Sequence, residues 1–465
     1  MLVFVTFSCG LLFYILKQMR CKFSVLEVVM KKILSLVMLA GCCTFGFGQE
    51  KQDAFVTNPD NMGWMQGFPP APEKTLRASD GSFFEFPNLR YSINHMQEFF
   101  PSRTVPASED NRYTVKTKLD KNIDSIEFTP WNSDEKMTFK DSLAANYTDG
   151  IIIMHKGKIV YEQYPAGLKP DGRHSAMSVS KSFCGTIASI LVAEGKLDPS
   201  KMVIDYVPEL KGSGYEDATV RQVMDMTTAI QYSEDYNNPK AEVWAYSAAG
   251  NVFRPVDYKG PENYYEYLKT VKKIKGQEHG EAFGYKTINT ELLGWIVSRA
   301  SGKGLAQLVS EKIWQPLGAH YDAYYQLDPS GIAFAGGGLS LNLRDMAMFG
   351  EMIRNGGKLN GRQVIPAAAA KDIATGGCNP KAQEAFAKSD YPMLKGWSYR
   401  DMWWITNNSH GAYMARGVHG QAIYIDPKAE MVIARFASTY LASNKYIDPL
   451  SIPAYEAVAD YLMKK

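Results

Sequence analysis

Cysteine is scarce where a folded domain would use it. Of the six in the chain, Cys9, Cys21, Cys42 and Cys43 crowd the amino terminus, which leaves only Cys184 and Cys378, far apart. Two such residues make neither a disulfide framework nor a zinc-binding spacing. Six histidines (95, 155, 174, 279, 320, 410) stand at no metal-ligand interval either, so no metal and no cofactor is expected. There is no basic run and no basic–aromatic alternation, and the formal net charge is only +2, which argues against a nucleic-acid partner. Internal repeats and low-complexity tracts are lacking. The apolar run from Met1 to Leu16 is short for a membrane span.

What is present is a chain of 465 residues with 45% hydrophobic content, enough to bury a large core in two lobes. Its first 48 residues carry a net +4, from Lys17, Arg20, Lys22, Lys31 and Lys32 against Glu27, so the remainder is near −2. Met30-Lys31-Lys32 followed by Ile33 to Leu39 reads as the charged and apolar regions of an export signal spanning 30–48. It ends in Leu39-Ala40-Gly41-Cys42, similar to a bacterial lipobox, which would lipidate Cys42 and attach the protein to a membrane. Cleavage near Gly46-Phe47-Gly48 is the alternative. Residues 1–29 lie upstream of this signal, either as a start assigned too early or as an additional anchor. The expected location is exported, periplasmic or membrane-anchored.

Residues 49–145 are rich in Pro, Asp, Asn and aromatics without clear periodicity, and read as an extended arm. Ile151–Met154, a turn at Lys156-Gly157 and Lys158–Tyr164 read as a β-hairpin. His419–Asp426 and Met431–Phe436, split by Asp426-Pro427-Lys428, read as a second antiparallel pair. Between them, 197–330 carries helical patterns such as Val220–Met226 and Leu292–Arg299. Leu343–Arg354 and a last segment, Pro453–Met463, also read as helices. The expected fold is α/β (α+β): an antiparallel sheet flanked by helices, built from 146–196 and 331–465, with a mainly helical inserted domain.

Ser178-Val179-Ser180-Lys181 opens an apolar helical stripe of Val179, Phe183, Ile187, Ile190 and Leu191, with Gly195 as C-cap. Residues three apart share a helix face, so the lysine amine can reach the serine hydroxyl. In a dry pocket that amine loses basicity and can help take the serine proton. A serine capping the helix is the plain structural alternative. Ser133-Asp134-Glu135-Lys136 has the same spacing, but no apolar helix follows it. A second candidate segment is Phe283 to Gly294, where Tyr285 sits in a turn before an apolar helix.

These motifs resemble, in order, those of the serine hydrolases of the class C β-lactamase and penicillin-binding-protein family. Tyr285 with Asn289–Gly294 is similar to the second motif, and Ala415-Arg416-Gly417-Val418-His419-Gly420-Gln421 to the third. Gly63–Pro70, the Ser178 segment and Val418–Gln421 are most similar to the 6-aminohexanoate-oligomer hydrolase branch. The resemblance implies a β-lactamase/transpeptidase-like fold and acyl transfer by Ser178, with Lys181 and Tyr285 handling the proton and either one as base. It implies an oxyanion hole from the N–H groups of Ser178 and Val418. Tyr236 would bond the leaving amine and Trp404 would line the pocket. Thr287 and His419 join them as substrate-binding candidates, His419 being read as a positioned histidine.

Two positions depart from the family pattern. Thr287 stands where Tyr-x-Asn has its amide, and Ala415-Arg416-Gly417 replaces Lys-Thr-Gly, removing a cation that holds the β-lactam carboxylate. Both favour a small or oligomeric amide or ester over an antibiotic. A penicillin-binding D-Ala-D-Ala carboxypeptidase, a weak β-lactamase, or a sensor that does not turn over are the alternatives.

Overall fold

The computed structural model describes residues 51–465 apart from residue 237, so Cys42 and the signal assigned to 30–48 lie outside the described residues. Seven strands form one antiparallel sheet: β1 (Thr148–His155), β2 (Lys158–Gln163), β3 (Ser398–Arg400), β4 (Trp403–Ile405), β5 (Tyr413–Gly417), β6 (Gln421–Asp426) and β7 (Met431–Ala437). Their order across it is β3-β4-β5-β6-β7-β1-β2, so the two hairpins expected from the sequence meet where β7 pairs with β1. The β-branched run Ile151-Ile152-Ile153 is buried on both faces, as in a strand covered on each side.

Four helices matter to the site: α1 (Val179–Ala193), α2 (Ile288–Ser301), α3 (Leu343–Arg354) and α4 (Asp448–Leu462). Adjacent residues on a strand point to opposite faces. A Cβ on Gly350 of α3 would lie 2.8 Å from Ile423, whereas Tyr424 packs its ring 5.4 Å from that of Tyr455 on α4. Hence α3 and α4 cover opposite faces of the sheet. Phe183 of α1 stacks on Phe349 of α3 with ring centres 3.9 Å apart, and α1 also packs against β5, an inner strand of the sheet.

Several sequence expectations need correction. The arm at 49–145 is not merely extended: Ser102–Val105 is the edge of a second, four-stranded sheet with Ala323–Gln326, Leu339–Leu341 and His174–Ser175, and Phe139–Ala145 is a helix. Short paired strands with few residues leave no periodicity to read. His419 is not in a strand. It occupies a turn with φ 62°, and β6 starts at Gln421. The last helix begins at Asp448 and carries Pro453 within it, held by a buried face of Ile452, Tyr455, Val458 and Leu462.

The tightest contact of α1 is at Gly185. Asp401 and Met402 both have positive φ, 51° and 64°, as a two-residue hairpin turn between β3 and β4 demands. This turn lies on α1: Ser182 Oγ donates to the Met402 carbonyl at 2.8 Å, and a Cβ on Gly185 would fall on the Asp401 carbonyl oxygen. Gly185→Ala is therefore expected to destabilise the protein by about 3 kcal/mol in urea denaturation. An unchanged midpoint would contradict this packing.

Candidate active site

Ser178 precedes the first turn of α1, and its side chain makes no capping hydrogen bond, which disposes of the plain-cap reading. Met177 before it sits at φ 46°, an unfavourable conformation for a long side chain that turns the serine out of the helix. Lys181 Nζ donates to Ser178 Oγ at 2.9 Å and to the Gly336 carbonyl at 2.6 Å. The lysine is 1% exposed, and burial pushes its pKa down to about 8, against the opposing pull of Glu234 and Glu291. Tyr285 shares a side-chain hydrogen bond with Ser178, and the Lys181 amine lies 5.1 Å from the centre of its ring. Burial holds the Tyr285 phenol well above its ordinary pKa, and Glu234 adds to this; Ser178 and Arg416 act in the other direction. The structure thus brings the three predicted residues together. By contrast, Lys136 of the decoy motif pairs on the surface with Glu127 at 3.1 Å.

β5 ends against the start of α1. A Cβ on Gly417 would come within 2.8 Å of the Ala176 carbonyl and 3.1 Å of Ser178 N, so only glycine allows this approach. Ser178 and Val418 line the same cavity of about 370 Å³, with Phe84, Val243, Trp244 and Phe334 on its walls. His419 is buried beside it with Nδ1 on the Thr439 carbonyl at 2.7 Å; burial pushes its pKa down to about 4, leaving a neutral, fixed ring.

Thr287 and Tyr236 converge on a residue that sequence reasoning passed over. The Thr287 N–H donates to Glu234 Oε2 at 2.7 Å, its hydroxyl to Oε1, and the Tyr236 hydroxyl to Oε1 at 3.0 Å. Glu234 was visible only as a neighbour of Tyr236. Trp404 is 4% exposed and belongs to an aromatic cluster with Tyr285, Tyr391 and Phe283, while one edge lines a smaller cavity at Ser178. Arg416 lines that cavity too, with its guanidinium 4.4 Å from the Trp404 ring centre and an ion pair to Asp448. A second missed residue is Glu291 on α2, whose signal was a lone charge inside an apolar helical run. Among the described residues no group of three His, Cys, Asp or Glu side chains is placed to hold a metal ion.

A serine, a lysine of lowered basicity and a tyrosine gathered at one cleft are the kinds of group that acyl transfer requires. The Beta-lactamase family matches residues 141–448, and the chain belongs to that family. Within it, the 6-aminohexanoate-dimer hydrolase of Paenarthrobacter ureafaciens is 34% identical over 363 residues, covering 77% of this chain and 87% of the relative. A solved structure from Bacillus anthracis, provisionally described as a 6-aminohexanoate-dimer hydrolase, superposes with a TM-score of 0.74 at 32% identity, over 84% of this chain and 99% of that one. A D-stereospecific amidohydrolase from Streptomyces sp. shares the fold alone, with a TM-score of 0.51 at 17% identity over 67% and 97% of the two chains. The protein is thus a hydrolase with the β-lactamase/transpeptidase-like fold.

The buried lysine has a cost that can be measured. In the unfolded chain Lys181 keeps the ordinary pKa of 10.5, against about 8 when folded, so folding at pH 7 works against about 3 kcal/mol. Between these two values the unfolded state binds more protons, and stability contributed by this group rises with pH. Lys181→Met removes the penalty and leaves the Gly336 carbonyl unpaired, for an expected net gain of about 1–2 kcal/mol at pH 7. Urea titrations should show that gain shrinking from pH 8 to 10.5. A pH-independent difference, or a less stable variant at pH 7, would contradict the placement.

Proposed function

We propose that this chain is an exported serine hydrolase that cleaves amide or ester bonds of a small or oligomeric substrate through an acyl-enzyme on Ser178. The observation that carries the reading is the 2.9 Å hydrogen bond between Lys181 Nζ and Ser178 Oγ inside a buried site. Ser178 Oγ attacks the substrate carbonyl carbon while its proton passes to the coupled Lys181/Tyr285 pair. The N–H groups of Ser178 and Val418 receive the developing oxyanion. Collapse of the tetrahedral intermediate expels the amine or alcohol, which takes the proton back, with the Tyr236 hydroxyl beside the leaving atom. Water then attacks the ester carbonyl and gives a proton to the same pair, which returns it to Ser178 Oγ as the C–O bond breaks and the acid leaves.

The relatives named for 6-aminohexanoate-dimer hydrolysis favour a linear amide as substrate. The largely apolar walls of the larger cavity fit a methylene chain. Thr287, committed to Glu234, and the absence of a lysine at Ala415 favour this class over β-lactams. Export rests on the signal-like segment at 30–48, with lipidation of Cys42 attaching the mature protein to a membrane.

Intact-mass spectrometry of the wild type beside Ser178→Ala, after exposure to a fluorophosphonate, p-nitrophenyl acetate and penicillin G, tests the reaction. The expected result is a phosphonyl adduct on Ser178, ester turnover, no penicillin adduct, and loss of at least about a thousandfold in turnover in the alanine variant. Stable acylation by penicillin alone would instead make the protein a penicillin-binding peptidase or sensor. Metabolic labelling with a fatty-acid analogue should mark the wild type and spare Cys42→Ser; equal labelling would exclude that anchor.

A further inference from the structure

Glu291 is 1% exposed, on a face of α2 turned toward the site. A carboxylate out of water is costly unless donors surround it. Here Oε1 accepts from Gly336 N at 2.7 Å and from the Tyr246 hydroxyl at 2.9 Å, and Oε2 accepts from Ala335 N at 3.1 Å. Among the described residues no lysine or arginine forms an ion pair with it. Two of its three bonds come instead from successive backbone N–H groups, those of Ala335 and Gly336. The carbonyl of Gly336, the residue whose N–H Glu291 holds, accepts from Lys181 Nζ at 2.6 Å, and that amine donates to Ser178 Oγ at 2.9 Å. Gly336 is required at this point, because a Cβ would strike Thr287 Cγ2 and sit 2.8 Å from Glu291 Oε1.

We propose that Glu291 is a positioning residue for the Ser178–Lys181 pair: its carboxylate fixes the backbone at Ala335 and Gly336 so that the following Gly336 carbonyl holds the lysine amine against the serine. The proposal rests on the serine-hydrolase reading given above. Glu291 also acts on Lys181 as a charge. It is one of two acids, with Glu234, that favour the protonated amine. Burial raises the Glu291 pKa to about 7, while its three donors and Lys181 act to lower it. The other titratable groups that feel it are Tyr246, Tyr264, Tyr265, Tyr325 and Cys184, all of them neutral near pH 7 because burial holds their pKa values high. Lys181 is therefore the group through which loss of the Glu291 charge reads out in activity.

Glu291→Gln tests both parts. The amide oxygen can keep two of the donors, but its NH2 faces the third N–H, so one of the two backbone anchors is lost while the side-chain volume is kept. With p-nitrophenyl acetate as substrate, kcat/KM should fall by about a hundredfold, the usual cost of a small misplacement. Without the negative charge Lys181 loses its proton more readily, so the limb of the pH–rate profile that Lys181 governs should move down by about one pH unit. Tyr246→Phe, which removes one donor and so makes Glu291 easier to protonate, should move it in the same direction by less, and serves if the glutamine variant does not fold. Fluorophosphonate labelling of Ser178 in the wild type, run alongside, separates the two claims. A labelled wild type with an unmoved profile in the variants, whatever their thermal stability, overturns the role of Glu291 alone. An unlabelled wild type overturns the serine reading, and this proposal with it.

Discussion

The site depends on taking the Lys181 amine out of water and keeping it in contact with Ser178. An isolated ammonium would not tolerate that environment, and the structure answers with a depressed pKa rather than a full ion pair. Neither nearby acid touches the lysine directly. Glu234 is occupied by Thr287 and Tyr236, and Glu291 by the N–H groups of Ala335 and Gly336 and by Tyr246. Their charges keep the amine from losing its basicity altogether, while its direct partners are a hydroxyl and a carbonyl. Contact with a carboxylate would make it a permanent cation and a poor proton acceptor. Complete isolation would strip it of the ability to hold a proton at all.

That balance explains several features of the surrounding fold. Gly336 and Gly417 bring backbone within reach of the lysine and of Ser178 N, distances no side chain would permit. Gly185 lets α1 settle on the β3–β4 turn, so the helix that starts at Ser178 and carries Lys181 is fixed from behind. Trp404 packs on Tyr285 and is itself backed by Tyr391 and Phe283, while the Arg416 guanidinium on the Trp404 face supplies a positive field without offering a competing base. The features on which the proposed preference for a linear amide over a β-lactam rests lie in the same places. Thr287 is spent on Glu234, and the strand cation is stacked on an aromatic face and paired with Asp448.

How much of this could be read in the sequence follows the range of each interaction. Ser178 and Lys181 are related by one helical turn, and the apolar stripe of α1 marks that turn locally, so they were legible. The hairpins β1–β2 and β6–β7 were legible for the same reason. Tyr285 and Val418 became readable only through resemblance, because nothing in their own segments says which cavity they face. Glu234 and Gly336 were not legible as parts of the site: each reaches it from a loop, and the contacts that tie them to Thr287 and Lys181 span more than fifty positions. The second sheet escaped notice because its strands are two to four residues long and come from the arm, the helical region and the body. His419 was placed in a strand because its apolar surroundings hide a left-handed turn.

The most direct test of this account is the titration of Lys181 itself, followed by NMR on protein with isotopically labelled lysine and assigned by the Lys181→Met variant. The account predicts a midpoint of about 8. A midpoint near the ordinary 10.5 would mean that the amine is solvated or ion-paired, and that the arrangement around Ser178 does not poise it to move a proton.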